Sequence, residues 1–200
     1  MLIAFEGLDQ SGKETQSRHL RARLEQDGHV VHTLSFPDYE TPIGCEIARA
    51  LAGEREFGPD VLQLLYVANR MEYRPRLEHW LNGGAIVICD RYRASSLAYG
   101  EAQGVDVDWL DDVQRLLPEA AVTVWLDISP ETAARRKASG RDRFERDLAL
   151  LGRVRESYRR QATAADWLVI DAEQPKDDVA VAVEQAVLKR IGRRSTPRRA

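Results

Sequence analysis

The fold of this chain is decided by residues 5–15, which read Phe5-Glu6-Gly7-Leu8-Asp9-Gln10-Ser11-Gly12-Lys13-Glu14-Thr15. Gly7, four intervening residues, Gly12 and Lys13 have the spacing of a strand–loop–helix phosphate-binding motif. In that motif backbone N–H groups turn inward around the phosphates and the lysine reaches them. The apolar residues 2–5 before the loop predict a strand, and the helical spacing of Leu20 and Leu24 after it predicts a helix. A chance glycine–lysine turn is the alternative, and the strand and helix on either side of the loop favour the motif.

Glu14 departs from the usual form of the motif. It stands where a serine or threonine normally binds Mg²⁺, and Thr15 follows one position later. A carboxylate is also an oxygen ligand that suits Mg²⁺, so the substitution need not abolish metal binding. The candidate metal ligands, directly or through water, are Asp9, Asp90 and Glu14.

Composition indicates an ordinary globular chain and excludes several classes of protein. The 200 residues are 44% hydrophobic and 30% charged, which predicts one domain over residues 1–191, followed by a basic tail, residues 192–200, that we expect to be disordered. The net charge of −3 argues against bulk nucleic-acid binding. The chain has no apolar run of membrane-spanning length and no signal peptide. Cys45 and Cys89 are interpreted as free thiols. We therefore expect a cytoplasmic protein without membrane partners.

Strand-like and helix-like segments alternate along the chain, which is typical of a parallel sheet flanked by helices. The predicted strands are nearly continuous runs of apolar and β-branched residues at 2–6, 30–36, 85–90, 121–127 and 167–171. The predicted helices are residues 13–27, 59–81, 108–117, 130–139, 143–165 and 175–191. The sequence therefore predicts an α/β fold with a five-stranded parallel sheet, of the phosphate-loop nucleoside triphosphatase type.

Ligands of such sheets bind beyond the carboxyl ends of the strands. Asp9 lies after the first strand, the turn Phe36-Pro37-Asp38-Tyr39 after the second, and Asp90-Arg91-Tyr92 after the third. The turn is either part of a binding site or a packed β-turn. Arg91 is either a phosphate ligand or a member of a structural ion pair.

A cationic segment in the second half of the chain predicts a lid. It reads Arg135-Arg136-Lys137-Ala138-Ser139-Gly140-Arg141-Asp142-Arg143, and we place the lid at about residues 136–145. An arginine-bearing flap over the phosphates would exclude water from the reaction. A solvated, charged helix face is the alternative.

The run Asp90-Arg91-Tyr92-Arg93-Ala94-Ser95-Ser96-Leu97-Ala98-Tyr99 resembles the thymidylate kinase family. The pattern of that family is Asp-Arg-Tyr or Asp-Arg-His, two residues, Ser, two residues and Ala-Tyr. The phosphate loop, Phe36-Pro37, Arg70 and Asp142-Arg143-Phe144-Glu145 match the family as well, so the resemblance spans residues 1–171. It implies transfer of the γ-phosphate of ATP to thymidine 5′-monophosphate (dTMP), with Mg²⁺, on a five-stranded parallel sheet, commonly in a homodimer.

The resemblance also implies roles for individual residues. ATP would contact the loop residues Gly7, Leu8, Asp9, Gln10, Ser11, Gly12, Lys13, Glu14 and Thr15. The acceptor nucleotide would contact Asp9, Phe36, Tyr39, Tyr66, Arg70, Arg91, Ser95, Ser96, Tyr99, Asp142 and Glu145. Core packing remains the alternative for Tyr66.

Catalysis requires cations that neutralise charge on the transferred phosphoryl group. Some family members carry a catalytic arginine in the phosphate loop, whereas others use the lid. This loop has no arginine, so Arg136, Arg141 and Arg143 are the candidates for that role. The other catalytic candidates are Lys13, Asp9 and Arg91. Two rival functions remain open: a kinase for another nucleoside monophosphate or small acceptor, and a nucleotide-binding protein that has lost catalysis.

Overall fold

Five parallel strands form one sheet through the middle of the computed structural model, which describes residues 1–137 and 147–195. The strands are β1 (Leu2–Glu6), β2 (Val31–Ser35), β3 (Ile86–Asp90), β4 (Val122–Asp127) and β5 (Leu168–Asp171). Their spatial order is β2-β3-β1-β4-β5, and every neighbouring pair is parallel. The predicted fold class is confirmed, and each predicted strand agrees with the structure to within one residue at either end.

Nine helices surround the sheet within the described residues. They are α1 (Lys13–Gln26), α2 (Pro42–Ala52), α3 (Pro59–Glu72), α4 (Arg74–Asn82), α5 (Arg93–Ala102), α6 (Val107–Gln114), α7 (Pro130–Arg136), α8 (Leu148–Ala164) and α9 (Lys176–Ser195). Helix α9 runs four residues past its predicted end at 191 and includes the first residues of the predicted tail. None of these helices is long and apolar enough to cross a bilayer.

The prediction of one helix over residues 59–81 was wrong, because two helices meet at Tyr73. Pro75 lies in the first turn of α4. A proline inside a helix has no N–H to donate, and its ring clashes with the carbonyl one turn earlier. The chain therefore ends α3 and starts α4 at this position.

Two further helices, α2 and α5, were not predicted from the sequence. Helix α2 has clear local signals, since the Thr41 hydroxyl accepts a hydrogen bond from the Gly44 N–H at 3.0 Å and Gly53 ends the helix with a φ of 83°. Helix α5 is rich in small residues and buries several of them, so it has no amphipathic pattern. A Cβ on its Gly100 would lie 2.2 Å from Leu110 Cδ1, which explains the small residue at this position.

The core lies on both faces of the sheet because the central strands are buried on both sides. Ile3 and Phe5 of β1 pack into one cluster with Leu20 of α1, whereas Leu2 and Ala4 pack into a second cluster. The strand order places the carboxyl ends of β2, β3 and β1 side by side. The residues that follow these three strands are thereby brought to one edge of the sheet.

Candidate active site

The phosphate loop between β1 and α1 depends on left-handed backbone conformations. The φ angles are 139° at Gly7, 64° at Gln10 and 95° at Gly12. A Cβ on Gly7 would lie 2.5 Å from the carbonyl oxygen of Leu126, at the neighbouring strand β4. Gly7 therefore allows the loop to lie directly against the sheet.

Lys13 lies at the start of α1 and folds back over this loop. Its Nζ donates hydrogen bonds to the carbonyl oxygens of Leu8 at 2.8 Å and Gly7 at 3.2 Å. Burial lowers the pKa of Lys13, and the nearby charge of Arg91 lowers it further, while Asp90, Asp9 and Glu6 act in the opposite direction. The loop thus holds a largely buried cation close to Arg91.

Arg91 follows β3 in a left-handed conformation, with a φ of 62°. Its N–H continues the sheet by donating to the Phe5 carbonyl at 2.9 Å, and its Nη2 pairs with Asp9 Oδ1, also at 2.9 Å. The guanidinium carbon lies 5.2 Å from the centre of the Tyr99 ring. Burial alone would raise the pKa of Asp9, but the charges of Arg91 and Lys13 outweigh it and lower the pKa to about 2.

Glu6, the last residue of β1, holds this arrangement together, a role that was not predicted. Its buried carboxylate accepts hydrogen bonds from the Tyr92 N–H at 2.9 Å, the Ser95 hydroxyl at 2.6 Å and the Tyr158 hydroxyl at 3.2 Å. Ser95 and Tyr158 in turn accept from Arg91 Nη1 at 3.1 and 3.4 Å. The network joins β1, α5 and α8 behind the Arg91 guanidinium and orients it.

A pocket lies beyond the carboxyl ends of β1, β2 and β3. Its lining includes nine of the predicted acceptor-site residues: Asp9, Phe36, Tyr39, Tyr66, Arg70, Arg91, Ser95, Ser96 and Tyr99. It also includes Pro37, from the turn that follows β2, and Leu51, Gln63 and Gln103, which were not predicted. Tyr66 is half-buried and lines the pocket, so it is not solely a core-packing residue.

Arg70 lies in this pocket as a buried cation without a carboxylate partner among the described residues. Its side chain is only 2% exposed, and its Nη1 donates to Ser96 Oγ at 2.8 Å and to the Tyr66 carbonyl at 3.3 Å. Its Nε has no hydrogen-bond partner, and its guanidinium carbon lies 6.0 Å from the centre of the Phe36 ring. Burial lowers the pKa of Arg70. A buried cation in this state gains stability when an acceptor enters the pocket.

The turn after β2 is fixed by Asn69 of α3, a fully buried residue that the sequence analysis missed. Asn69 Oδ1 accepts from the Asp38 N–H at 2.8 Å, and its Nδ2 donates to the Asp38 carbonyl and to Thr41 Oγ1. The Tyr73 hydroxyl also bonds the Asp38 carboxylate. The turn is therefore packed, and it presents Phe36 and Pro37 to the pocket at the same time.

Arg136, at the end of α7, lies on the other side of the phosphate loop. Its guanidinium donates to the carbonyl oxygens of Gln10 at 3.0 Å and Ala172 at 2.7 Å. This contact ties the loop to the segment that follows β5. The remaining predicted lid residues, Arg141, Asp142, Arg143 and Glu145, lie outside the described residues.

The predicted metal ligands are not clustered. Glu14 is exposed on the first turn of α1, Asp9 is paired with Arg91, and Asp90 is the half-buried last residue of β3. Residues 1–137 and 147–195 contain no group of three or more His, Cys, Asp or Glu side chains that would hold a metal ion by themselves. A Mg²⁺ ion bound here would depend on substrate phosphates for most of its ligands.

Comparison with known proteins identifies the family. The family model for thymidylate kinase matches residues 5–183. The chain belongs to the thymidylate kinase family. It is 35% identical over 192 residues to thymidylate kinase from Arabidopsis thaliana, covering 95% of this chain and 72% of the relative. It is 31% identical over 193 residues to the human thymidylate kinase, covering 93% and 91%.

A solved structure of the same family has the same fold. The thymidylate kinase from Candida albicans is 27% identical to this chain and superposes with a TM-score of 0.80, covering 94% of this chain and 91% of that chain. The similarity therefore extends over the sheet, the phosphate loop and the pocket.

Proposed function

We propose that this chain transfers the γ-phosphate of ATP to dTMP, giving ADP and thymidine 5′-diphosphate, with dTMP in the pocket beyond β1, β2 and β3. The observation that carries the proposal is the pair of arginines in this pocket. Arg70 lies beside Phe36 with an unpartnered Nε, and Arg91 adjoins the phosphate loop. An acceptor nucleotide that places its base near Arg70 and its phosphate near Arg91 presents that phosphate to the ATP held by Lys13.

Phosphoryl transfer requires two anions to be positioned in line and the spreading negative charge to be neutralised. Lys13 exchanges its bonds to the Gly7 and Leu8 carbonyls for the β- and γ-phosphates of ATP. Arg91, oriented by Asp9, Ser95 and Tyr158, binds the phosphate of dTMP. Because both cations are already in place, little reorganisation is needed when charge develops between the phosphates.

The other end of the pocket holds the base. Phe36 and Tyr66 supply aromatic surface, and Arg70 donates a hydrogen bond to a ring carbonyl. Tyr39, Ser96 and Tyr99 complete the acceptor site, together with Asp142 and Glu145 outside the described residues. The predicted lid, residues 136–145, closes over the phosphates and supplies a catalytic arginine, with Arg136, Arg141 and Arg143 as the candidates.

The donor set fits Mg²⁺ as a cofactor. Asp90 would hold the ion together with the phosphate oxygens of ATP, directly or through water, since Mg²⁺ commonly keeps several waters and few protein ligands. The bound ion would neutralise charge on the β- and γ-phosphates. Asp9 is paired with Arg91 and Glu14 is exposed, so either carboxylate would reach the ion only through water.

Replacing Glu14 with serine is expected to keep kcat within about threefold of the wild-type value, with ATP binding at least as tight, because the exposed carboxylate adds negative charge near the donor phosphates. A Mg²⁺ titration of kcat measures the effect, with Glu14→Gln as the charge-only control. If activity collapses and excess Mg²⁺ restores it, the Glu14 carboxylate is a direct metal ligand and the proposed contribution through water is wrong.

A panel of acceptors tests the proposed function directly. With ATP as donor, dTMP is expected to have the highest kcat/KM among dTMP, dCMP, dGMP and AMP, because cytosine and the purines present different patterns of donors and acceptors to the fixed groups of the pocket. ADP and nucleoside diphosphate are measured in parallel. Comparable rates with dCMP or dGMP would leave only the broader kinase class. If both nucleotides bind tightly but a single-turnover experiment produces no ADP, the chain is an inactive binding protein.

The resemblance implies a homodimer, and the composition of the chain predicts a cytoplasmic protein; we propose both. Val61 and Leu64 of α3 and Trp109 of α6 are exposed apolar side chains that association of two copies would cover. Cys45 and Cys89 are both free, which is consistent with a reducing compartment. Sedimentation of the purified chain measures the oligomeric state.

A further inference from the structure

Gln63 of α3 is a buried amide without hydrogen bonds. Its side chain is 1% exposed, and neither its Oε1 nor its Nε2 has a partner. Two other buried glutamines are half satisfied. Gln16 Nε2 donates to the Lys176 carbonyl at 2.9 Å and Gln114 Nε2 donates to the Leu110 carbonyl at 3.1 Å, whereas Oε1 of each has no partner. Gln63 thus carries both an unused donor and an unused acceptor, at a cost to the free protein.

The position of Gln63 indicates what would satisfy it. It lines the acceptor pocket together with Tyr66 and Arg70. The three residues are spaced i, i+3 and i+7, so they share one face of α3. Arg70 Nε, at the other end of this row, also lacks a partner. Two unsatisfied polar groups therefore flank Tyr66 on the wall of one pocket.

The edge of a thymine base matches these groups. It presents an N–H between two carbonyl oxygens, O2 and O4. Arg70 can only donate, whereas the carboxamide of Gln63 can donate from Nε2 and accept at Oε1. A base whose one carbonyl is bound by Arg70 offers its remaining carbonyl and its N–H to a second group along the same edge.

We infer that Gln63 is a base-binding residue of the acceptor site, whose carboxamide hydrogen bonds the edge of the pyrimidine together with Arg70. The inference rests on the proposed function, because it takes the pocket to hold the base of dTMP. It explains why a glutamine occupies an otherwise apolar position between α3 and α5. The Gln63 side chain lies close enough to Gly100 of α5 that a Cβ there would be 3.4 Å from Gln63 Cγ.

A base-binding role and a structural role predict opposite effects of removing the amide. Gln63→Met keeps the length of the side chain and removes both unsatisfied groups. The free protein should then be as stable as the wild type or more so, because no internal hydrogen bond is lost. The affinity for dTMP should fall about tenfold or more, because buried partners on the base are left unpaired.

The experiment compares wild type, Gln63→Met and Gln114→Met by calorimetric titration with dTMP and with ATP, and by thermal unfolding of the free proteins. Gln114→Met is the matched control, since Gln114 is buried on α6 and does not line the pocket. We expect weaker dTMP binding for Gln63→Met alone, with unchanged ATP binding and an equal or higher Tm. A second ligand, 3-methylthymidine 5′-monophosphate, should show a smaller difference between Gln63→Met and wild type than dTMP does.

The outcomes separate the inference from the function on which it rests. If wild type does not bind dTMP, the proposed function fails. If wild type binds dTMP and Gln63→Met binds it equally well, the inference alone fails. If both Gln63→Met and Gln63→Leu lose folding stability, the amide is satisfied within the free protein and the inference is rejected.

Discussion

Replacing Lys13 with methionine will lower kcat/KM for ATP by about 10³-fold, the cost of removing a preorganised donor from a charge-developing transition state. The Nζ group that now bonds the Gly7 and Leu8 carbonyls is the cation of the phosphate loop. Methionine matches its length but carries no charge. Steady-state kinetics and titration with ATP measure the loss.

Folding should survive this substitution, because burial already lowers the pKa of Lys13 and an apolar side chain removes that desolvation cost. Lys189→Met serves as the control, since Lys189 is exposed on α9, outside the loop and the pocket. The control should match the wild type in both kinetics and thermal unfolding. A Lys13→Met enzyme with activity within tenfold of the wild type would show that the loop does not act on the donor phosphates.

Replacing Arg91 with alanine will lower kcat/KM for dTMP by about 10²- to 10³-fold, because a desolvated charge-assisted contact to the acceptor phosphate is lost. The loss has a second source in Asp9. In wild type the Arg91 and Lys13 charges hold the pKa of Asp9 near 2. Removing Arg91 leaves this carboxylate without its paired cation, next to the incoming phosphate.

The double variant Asp9→Asn/Arg91→Ala separates these two sources. In the Arg91→Ala background, Asp9→Asn should recover part of the lost dTMP affinity, because it removes the unpaired negative charge. In the background with Arg91 present, the same substitution removes an ion-pair partner of Arg91. Arg93→Ala is the control, because Arg93 is a neighbouring cation that pairs with Asp111 and does not line the acceptor pocket. Wild-type turnover and dTMP affinity in Arg91→Ala would mean that Arg91 is a structural ion-pair member, the alternative that its sequence context leaves open.

Local signals were sufficient for the sheet and the phosphate loop. Strands β1, β3 and β4 are nearly continuous apolar runs because they are buried on both faces. The edge strands β2 and β5 are partly exposed, and their apolar and β-branched residues marked them in the sequence. The loop spacing identified Lys13, and the run from Asp90 to Tyr99 identified Arg91. Helix α2 could have been found as well, since Thr41, Pro42 and Gly53 are ordinary start and stop signals.

Helix α5 and the break at Tyr73 were harder to predict for different reasons. Helix α5 packs small residues against its neighbours on several sides. Its sequence therefore lacks the regular alternation of apolar and polar positions by which a helix is predicted. At Tyr73 the apolar period continues through both α3 and α4, and Pro75 alone marks the boundary. A proline can start a helix as well as end one, so its effect depends on the surrounding packing.

The sequence by itself determined the order of the elements, the phosphate loop and the family, because these depend on residues close together in the chain. Tertiary structure decided the site, because its polar groups come from distant segments that meet at the carboxyl ends of β2, β3 and β1. Glu6 and Tyr158 orient Arg91 from separate elements, which no local pattern reveals. The unsatisfied amide of Gln63 likewise has meaning only once its neighbours are in place, because burial and hydrogen-bond partners are properties of the folded chain.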